Sequence, residues 1–508
     1  MPVIGALIKQ GLKLGTRVRL RSSSPSLQQQ KELKKLLSKA KDTAFGKRYG
    51  FQEALSSGDH VYAFQQQVPF HNYNSMHDQW WHRCLAEEEN VCWPGYVKFF
   101  ALSSGTSESA SKHIPVTRDM IKALKKASIR QILTLGKYDL PAAFFEKGIL
   151  WLGGSTDLKK QGGYFEGDVS GISARRVPIW FQRYYKPGKK LRREKDWNQK
   201  LEEITRQARQ WDIGIITGVP SWVQLLFEKI IAHYNVKTIH DIWPNLHIYL
   251  HGGVSFEPYR KSFAKFFSHQ VHFIEVYPAS EGFIAFQSEP GVHHMKMILN
   301  NGIFYEFVPF NEENFNDNGE LLPGATALSI DKVKEGIDYA VLLSTCAGAW
   351  RYLIGDTIRF TNSEKGEIII TGRTKHFLSL VGEHLSVDNM NRAVDRLSGE
   401  FNIEFSEFCV AGIPADGSFA HQWYIGLNHN AMPDKQHLAK RLDEILKELN
   451  DDYAVERGSA LKDIRLELIP VERFYDFMTV KGKMGGQNKF PRVMKSSQLK
   501  EWQDFLHQ

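Results

Sequence analysis

The residues best suited to chemistry fall in five short stretches. Leu102-Ser-Ser-Gly-Thr-Ser107, followed by Lys112, sets small hydroxyl residues around a glycine. Such a loop bends tightly, and its N–H groups and hydroxyls can converge on phosphate oxygens, with Lys112 adding a point charge. The order of a Walker A loop is absent. Glu275-Val-Tyr-Pro-Ala-Ser-Glu281-Gly follows a strand-like run, which puts its polar residues at a strand's carboxyl end, where open α/β sheets bind ligands. There Tyr277 can stack an aromatic base, Ser280 can bond a phosphate and Glu281 can hold Mg2+ through oxygen. Trp350-Arg-Tyr-Leu-Ile-Gly-Asp356 ends on a carboxylate, and an ionised Asp accepts the two hydrogen bonds that vicinal ribose hydroxyls offer. Thr371-Gly-Arg-Thr-Lys375 places Gly372 and Arg373 where one pattern of elements gives way to another, a setting suited to a hinge. Gly485-Gly-Gln-Asn-Lys-Phe-Pro-Arg492 gives Lys489 a flexible approach to a phosphate. Taken singly, the first stretch reads first as a Ser-rich turn, the third as an Asp in a turn and the lone Lys and Arg residues as solvated charges, and only the second stands even with a β-turn. Their order is the specific signal.

The elements that must position them are legible in outline. Leu33, Leu36, Leu37 and Ala40 recur at helical spacing, with Gly46 expected just past the helix end. Strand-like runs cover 148–152, 246–250, 271–276 and 303–308, and helical patterns cover 221–233 and 257–267. That alternation predicts α/β layers with mostly buried sheets. Residues 340–345, 358–360 and 367–371 read as shorter β-pieces joined by turns. Beyond Arg373 the pattern changes to a helix over 386–397 capped by Ser386, strands over 408–411 and 423–427, a helix over 436–449, a strand over 464–469 and a glycine-rich tail. The expected fold is therefore α/β, a large multi-sheet amino-terminal domain over 1–375 with a smaller α+β domain over 376–508.

With 508 residues, 42% hydrophobic and 24% charged, the chain is ordinary globular protein, and its 32 Phe, 18 Tyr and 12 Trp can fill a sizeable core. No apolar run is long enough for a membrane helix, so no stable membrane insertion is expected. The 65 Lys and Arg exceed the 57 Asp and Glu by a net +8, small for this length. The basic runs lack the aromatic interleaving of single-strand binders, and no nucleic acid is expected. Cys84, Cys92, Cys346 and Cys409 form no metal-ligand spacing and read as packing thiols of a reducing compartment, by default the cytoplasm. Residues 1–20 fit an amphipathic helix better than a signal peptide. The adjacent His293 and His294 lack a further metal ligand at useful spacing.

In their order the five stretches resemble the acyl-adenylate-forming enzymes, and more closely the Gretchen Hagen three (auxin-responsive) acyl-acid amido synthetase family, with its bacterial branch the nearer likeness. Ala40-Lys-Asp-Thr-Ala-Phe-Gly-Lys-Arg-Tyr-Gly-Phe51, His251-Gly-Gly-Val-Ser-Phe-Glu-Pro-Tyr259 and Gly302-Ile-Phe-Tyr-Glu-Phe-Val-Pro309 look like that branch's signatures, and the likeness runs from about residue 31 to the end. The resemblance implies an adenylate-forming domain with a mobile lid, and a ligase using ATP and Mg2+ in two steps. A carboxylic acid attacks the α-phosphate and releases pyrophosphate; an amine, usually of an amino acid, then takes the acyl group and releases AMP. It also implies roles: Ser103, Ser104, Gly105, Thr106 and Ser107 for the phosphate loop, Tyr277, Ser280 and Glu281 for the second motif, Asp356 for the ribose, Arg373 near the ribose, and Lys489 as the closing lysine. Two departures stand out. Leu353 replaces an arginine of the plant form, and Glu108 and Ser109 stand where the loop has glycine. Glu108 puts a carboxylate beside the phosphate loop, which would repel triphosphate unless it points away or meets Mg2+.

Two other readings remain open from sequence: an acid–CoA ligase sharing the first half-reaction, and a non-catalytic nucleotide-binding scaffold, which Glu108 favours. For the acyl pocket, Trp151, Leu152, Val219, His251 and Phe283 flank the motifs or fall in matching loops, and core packing is the first reading for each apolar one.

Overall fold

The computed structural model describes residues 3–17, 23–103, 112–174, 182–256, 259–316, 319–374, 377–378, 383, 385–415, 418–428, 433–450, 453–454, 457, 461–485 and 488–507. An eleven-stranded sheet runs in the order Ile303–Pro309, Asp338–Thr345, Tyr352–Asn362, Glu367–Arg373, Met295–Met297, Gly282–Phe286, His272–Ala279, Ile248–His251, Ile213–Gly218, Gly148–Leu152 and Tyr185–Lys186. The last five strands pair in parallel and the others antiparallel. Parallel pairing needs crossovers, and helices supply them. Pro220–Tyr234 starts on Pro220, ends on left-handed Asn235, and buries Val223, Leu226, Phe227 and Ile230 against the sheet's aromatic cover.

A smaller sheet pairs Lys112–Val116, Phe99–Ser103, Tyr164–Gly167 and Lys159–Gln161 in that order. Ser103 lies directly opposite Lys112, so the expected phosphate loop joins two adjacent antiparallel strands. Ser104, Gly105, Thr106, Ser107 and Glu108 lie outside the described residues.

One core cluster fixes the strand Tyr352–Asn362 before it reaches Asp356. Trp350 is fully buried, stacks on Phe45 (5.8 Å between centroids), meets Phe51 edge-on (4.7 Å) and donates from Nε1 to the Cys92 carbonyl (3.1 Å). The next residue, Arg351, holds a left-handed φ of 41°, which costs a non-glycine residue energy unless its surroundings over-determine it. They do. Its guanidinium pairs with buried Glu306 (3.0 Å) and donates to the Gln65 and Val68 carbonyls (2.7 Å each), while its N–H donates to Ser344 Oγ (3.0 Å).

The carboxyl-terminal sheet runs Leu461–Pro470, Ser418–Leu427, Phe405–Ala415, Val493–Met494. Helices Val387–Phe401 and Lys435–Leu449 cover one face, packing on Phe408, Val410, Trp423 and Ile425. Glu472–Val480 and Ser496–Leu506 cover the other, packing on Cys409, Ala411 and Tyr424. The alternation of neighbours between faces is the period of two that a strand imposes. The expected glycine-rich tail thus contains two helices and a strand, and the sheet is covered on both sides.

Other expectations shift in their edges. The first apolar helix is Pro25–Ala40, but Gly46 lies inside the next helix, Ala44–Arg48, rather than at its end. The helix expected over 257–267 is Arg260–Lys265, with 257–258 outside the described residues. Residues 358–360 belong to an 11-residue strand. Ser386 caps Val387–Phe401 as expected, accepting from the Asn389 N–H (3.1 Å). The first helix spans Val3–Arg17. All four cysteines are buried and unpaired. Among the described residues no helix is long and apolar enough to cross a membrane.

Candidate active site

Three stretches far apart in sequence meet at one end of the large sheet. Tyr277 is on the strand His272–Ala279, Asp356 on Tyr352–Asn362 and Arg373 at the end of Glu367–Arg373. Asp356 and Arg373 face each other in the antiparallel register. The Tyr277 hydroxyl donates to Asp356 Oδ2 (2.7 Å), and Arg373 Nε lies 2.9 Å from Asp356 Oδ1. Arg373 also donates to the Ile354 carbonyl (3.2 Å). Each carboxylate oxygen is therefore oriented by a different donor. Gly355, with φ +86°, allows the strand to distort beside Asp356 without the penalty a side chain would bring.

Tyr277 is buried, its ring packed in a core cluster with Ile284 and Ile303. Its polar contribution is the hydroxyl on Asp356 rather than an open stacking face. Burial first, then the Asp356 charge, hold that phenol protonated well above its usual range. Asp356 in turn strengthens the Arg373 guanidinium's hold on its proton.

Ser280 and Glu281 form the tip of a tight hairpin, between Ala279 and Gly282, which pair across it. The Glu281 carboxyl is pushed up to about 6, chiefly by burial; its own backbone N–H and the charges of Lys112 and Arg373 oppose the rise, and Asp356 adds to it. The Tyr352 hydroxyl bonds the same carboxyl, and Tyr352 is itself pushed well up by burial. Lys112 acts on Glu281 from the base of the segment 104–111, and its ammonium sits over the Tyr73 ring (5.5 Å).

Lys489 arrives from the carboxyl-terminal module. Its Nζ donates to the Gly253 carbonyl, and a Cβ at Gly253 would come within 3.1 Å of the lysine's Cε and Nζ. Although the residue is exposed at its surface, the ammonium end presses on protein. Desolvation, then the Arg373 charge, bring it down to about 8, with Asp356 opposing. Three residues on, Arg492 donates to buried Glu407 (2.6 Å) and the Phe408 carbonyl (3.0 Å), and Tyr259 of the large domain donates to the same carboxylate.

The structure thus gathers Tyr277, Glu281, Asp356, Arg373 and Lys489, with Ser280 beside Glu281. Ser103 is placed through its strand alone, and 104–107 fall outside the described residues. Of the acyl-pocket candidates, Leu152 and Val219 are buried core, whereas Trp151 and Phe283 are half-buried. His251 is buried and stacked on Phe256 (4.4 Å), with Nδ1 unpartnered; burial, then Arg260, lower it to about 3. Sequence reasoning passed over Tyr352 and Gly253. Tyr352 stood within a quoted stretch and Gly253 within another, but only the fold reveals that they touch Glu281 and Lys489. His294 is 3.5 Å from Glu367, and among the described residues no group of three or more His, Cys, Asp or Glu is arranged to hold a metal.

Comparison with known proteins follows this geometry. Residues 16–208 match the GH3 family N-terminal domain, 296–368 the GH3 family central domain and 388–498 the GH3 family C-terminal domain. The indole-3-acetic acid-amido synthetase GH3.4 of Arabidopsis thaliana is 25% identical over 238 residues, 43% of this chain and 39% of that protein. The jasmonoyl–L-amino acid synthetase GH3.5 of Oryza sativa subsp. japonica is 27% identical over 162 residues, 29% of this chain and 28% of that protein. These alignments span well under half of each relative's length. The structure of GH3.15 acyl acid amido synthetase superposes with a TM-score of 0.76 at 16% identity, covering 98% of this chain and 96% of that one. That of 2-hydroxyisobutyryl-CoA ligase gives 0.59 at 12% identity, covering 94% and 92%. Both show the α/β fold of adenylate-forming enzymes. The expected nearness to a bacterial branch is overturned, because the matched relatives are plant proteins, from Arabidopsis thaliana and Oryza sativa. With the amino-terminal, central and carboxyl-terminal domain models laid in order along it, the chain belongs to the GH3 family.

Proposed function

We propose that the chain is an ATP-dependent acyl-acid amido synthetase, joining a small carboxylic acid to an amine, in the first instance an amino acid. The observation that carries this is the convergence of Tyr277, Glu281, Asp356 and Arg373 from the middle of the chain with Lys489 from its carboxyl-terminal tail. A carboxylate offers about four lone-pair sites. Tyr277 and Arg373 occupy two on Asp356 and so orient the two left for ribose hydroxyls. Ser103, Ser104, Gly105, Thr106, Ser107 and Ser280 are assigned to the triphosphate.

In the first step an oxygen of the substrate carboxylate bonds to the α-phosphorus, and the bond to the pyrophosphate oxygen breaks. Negative charge concentrates on the α-phosphate, and the Lys489 ammonium, drawn off the Gly253 carbonyl, stabilises it. In the second step the amine bonds to the acyl carbon, the bond to the AMP oxygen breaks, and the amine gives up a proton. An acyl-adenylate is a mixed anhydride that water also cleaves, so a small domain closed over the crevice protects it. Residues 1–375 and 376–508 are assigned as the two units, and the reducing cytoplasm as the compartment.

Glu281 fits Mg2+ by donor type, since this cation takes one or two carboxylates and completes its shell with phosphate and water oxygens. When bound, Mg2+ would neutralise charge on the phosphates. Acid-dependent exchange of labelled pyrophosphate into ATP, over a panel of carboxylic acids, tests the first step. An active acid supplied with amino acids or with CoA then separates amide from thioester by product mass. Absence of exchange with every acid class would remove the proposal.

A further inference from the structure

The tail carrying Lys489 is held on both sides. Arg492 ties it to Glu407 and Phe408 of the carboxyl-terminal sheet. On the other side Gly485 lies on the indole of Trp197, the first residue of the helix Trp197–Gln207 in the large domain. Gly485 has φ +77°, and a Cβ there would come within 2.0 Å of the indole Cδ2. Both the left-handed backbone and the flat contact call for glycine.

Trp197 is itself braced. Asp196 caps its helix by accepting from the Gln199 N–H (2.9 Å). Buried Lys200 puts its ammonium 5.6 Å from the indole centroid and donates to the Gly153 carbonyl (2.8 Å). Trp222 meets the indole edge-on at 5.7 Å and in turn lies 6.1 Å from Tyr475 of the carboxyl-terminal module. Met484, the residue before Gly485, packs on the same cluster.

We propose that Trp197 is a positioning residue for adenylation: it is the seat on which Gly485 comes to rest, and it sets where Lys489 meets the α-phosphate. This rests on the functional reading above. Gly485 and Lys489 lie four positions apart, so the place where Gly485 rests bounds how far the ammonium can reach. In sites of this kind a shift of about 1 Å costs roughly 10²-fold in rate.

The test is pyrophosphate exchange by the full chain with Trp197→Ala, Trp197→Phe, Gly485→Ala, Lys489→Ala and the doubles that add Lys489→Ala. Trp197→Ala and Gly485→Ala should each lower the exchange kcat by roughly 10- to 100-fold, and Trp197→Phe should recover much of it. In the Lys489→Ala background neither should cost anything further, because the seat acts through that lysine. Gly485→Ala perturbs the contact from the tail, so it reports even where Trp197→Ala fails to fold. Multiplicative losses in the doubles, or wild-type exchange by Gly485→Ala, would overturn the seat and leave the functional reading intact. No exchange by the wild type would overturn both.

Discussion

The Tyr277 hydroxyl and the Asp356 carboxylate, 79 positions apart, share a 2.7 Å hydrogen bond, and Arg373 holds the other oxygen of the same carboxylate at 2.9 Å. A hydrogen bond to a charged group contributes roughly 1.5–3 kcal/mol. Tyr277→Phe keeps the buried ring and removes that bond alone. It should raise the KM for ATP by roughly 10- to 100-fold and leave the KM for the acid near its wild-type value. Equal rises in both would take Asp356 away from the sugar.

The pH profile of kcat/KM for ATP in exchange, which reports groups of the free enzyme, should be a bell. Glu281 ionises only above about 6, so if its carboxylate serves the nucleotide, activity falls as pH drops through that value. Lys489 is charged only below about 8, so activity falls as pH rises through it. Glu281→Gln should erase the acid limb along with most of the rate. Lys489→Arg, which stays protonated far beyond this range, should erase the alkaline limb in whatever activity survives. An alkaline limb unmoved in Lys489→Arg would assign it to another group.

Removing the Lys489 ammonium should cost more than any other single change at the site. Comparable donors to developing anionic charge contribute ~10²–10³ in kcat. Lys489→Ala should therefore slow exchange by about that factor, with a smaller effect on nucleotide affinity measured by calorimetry. Full exchange in this variant would leave the tail without a chemical role.

Stability has its own pressure point. Arg351→Met would leave Glu306, 1% exposed, without its charge partner, the Gln65 amide (2.9 Å) still donating to it. Stranding a buried charge costs about 3–5 kcal/mol, which should appear as a clear fall in the urea midpoint. Replacing both residues with apolar ones should recover a large part of the loss. A single variant as stable as the wild type would show that Glu306 finds another proton or cation.

Much of the candidate site is legible in sequence because each residue's setting is local: Tyr277, Glu281, Asp356, Arg373 and Lys489 each sit in a stretch whose composition announces a turn or strand end. The setting was harder to read. Gly355 before Asp356 reads as a turn, yet cross-strand pairing on both sides carries the strand through it to Asn362. Gly485 and Gly486 drew the tail toward a loop, although Phe474, Phe477 and Trp502 belong to packed helices. The meeting of Lys489 with Gly253, 236 positions away, had no local signal at all. The bacterial affinity rested on short strings such as His251 to Tyr259, too few positions to separate branches of one family.

The clothing of the carboxyl-terminal sheet by its own four helices has a mechanical consequence. Its two apolar clusters draw on no residue before Leu378, so its interior is sealed without help from the large sheet. The links across to the large sheet's side include Tyr259 to Glu407, Lys265 to Glu404 (2.5 Å), Ser262 to Glu404 (3.3 Å), Lys261 to the Ser398 carbonyl (3.0 Å), Lys489 to the Gly253 carbonyl, Gly485 on the Trp197 indole and Tyr475 on Trp222. Parting the module from the large sheet would therefore cost these links and leave its own two clusters whole.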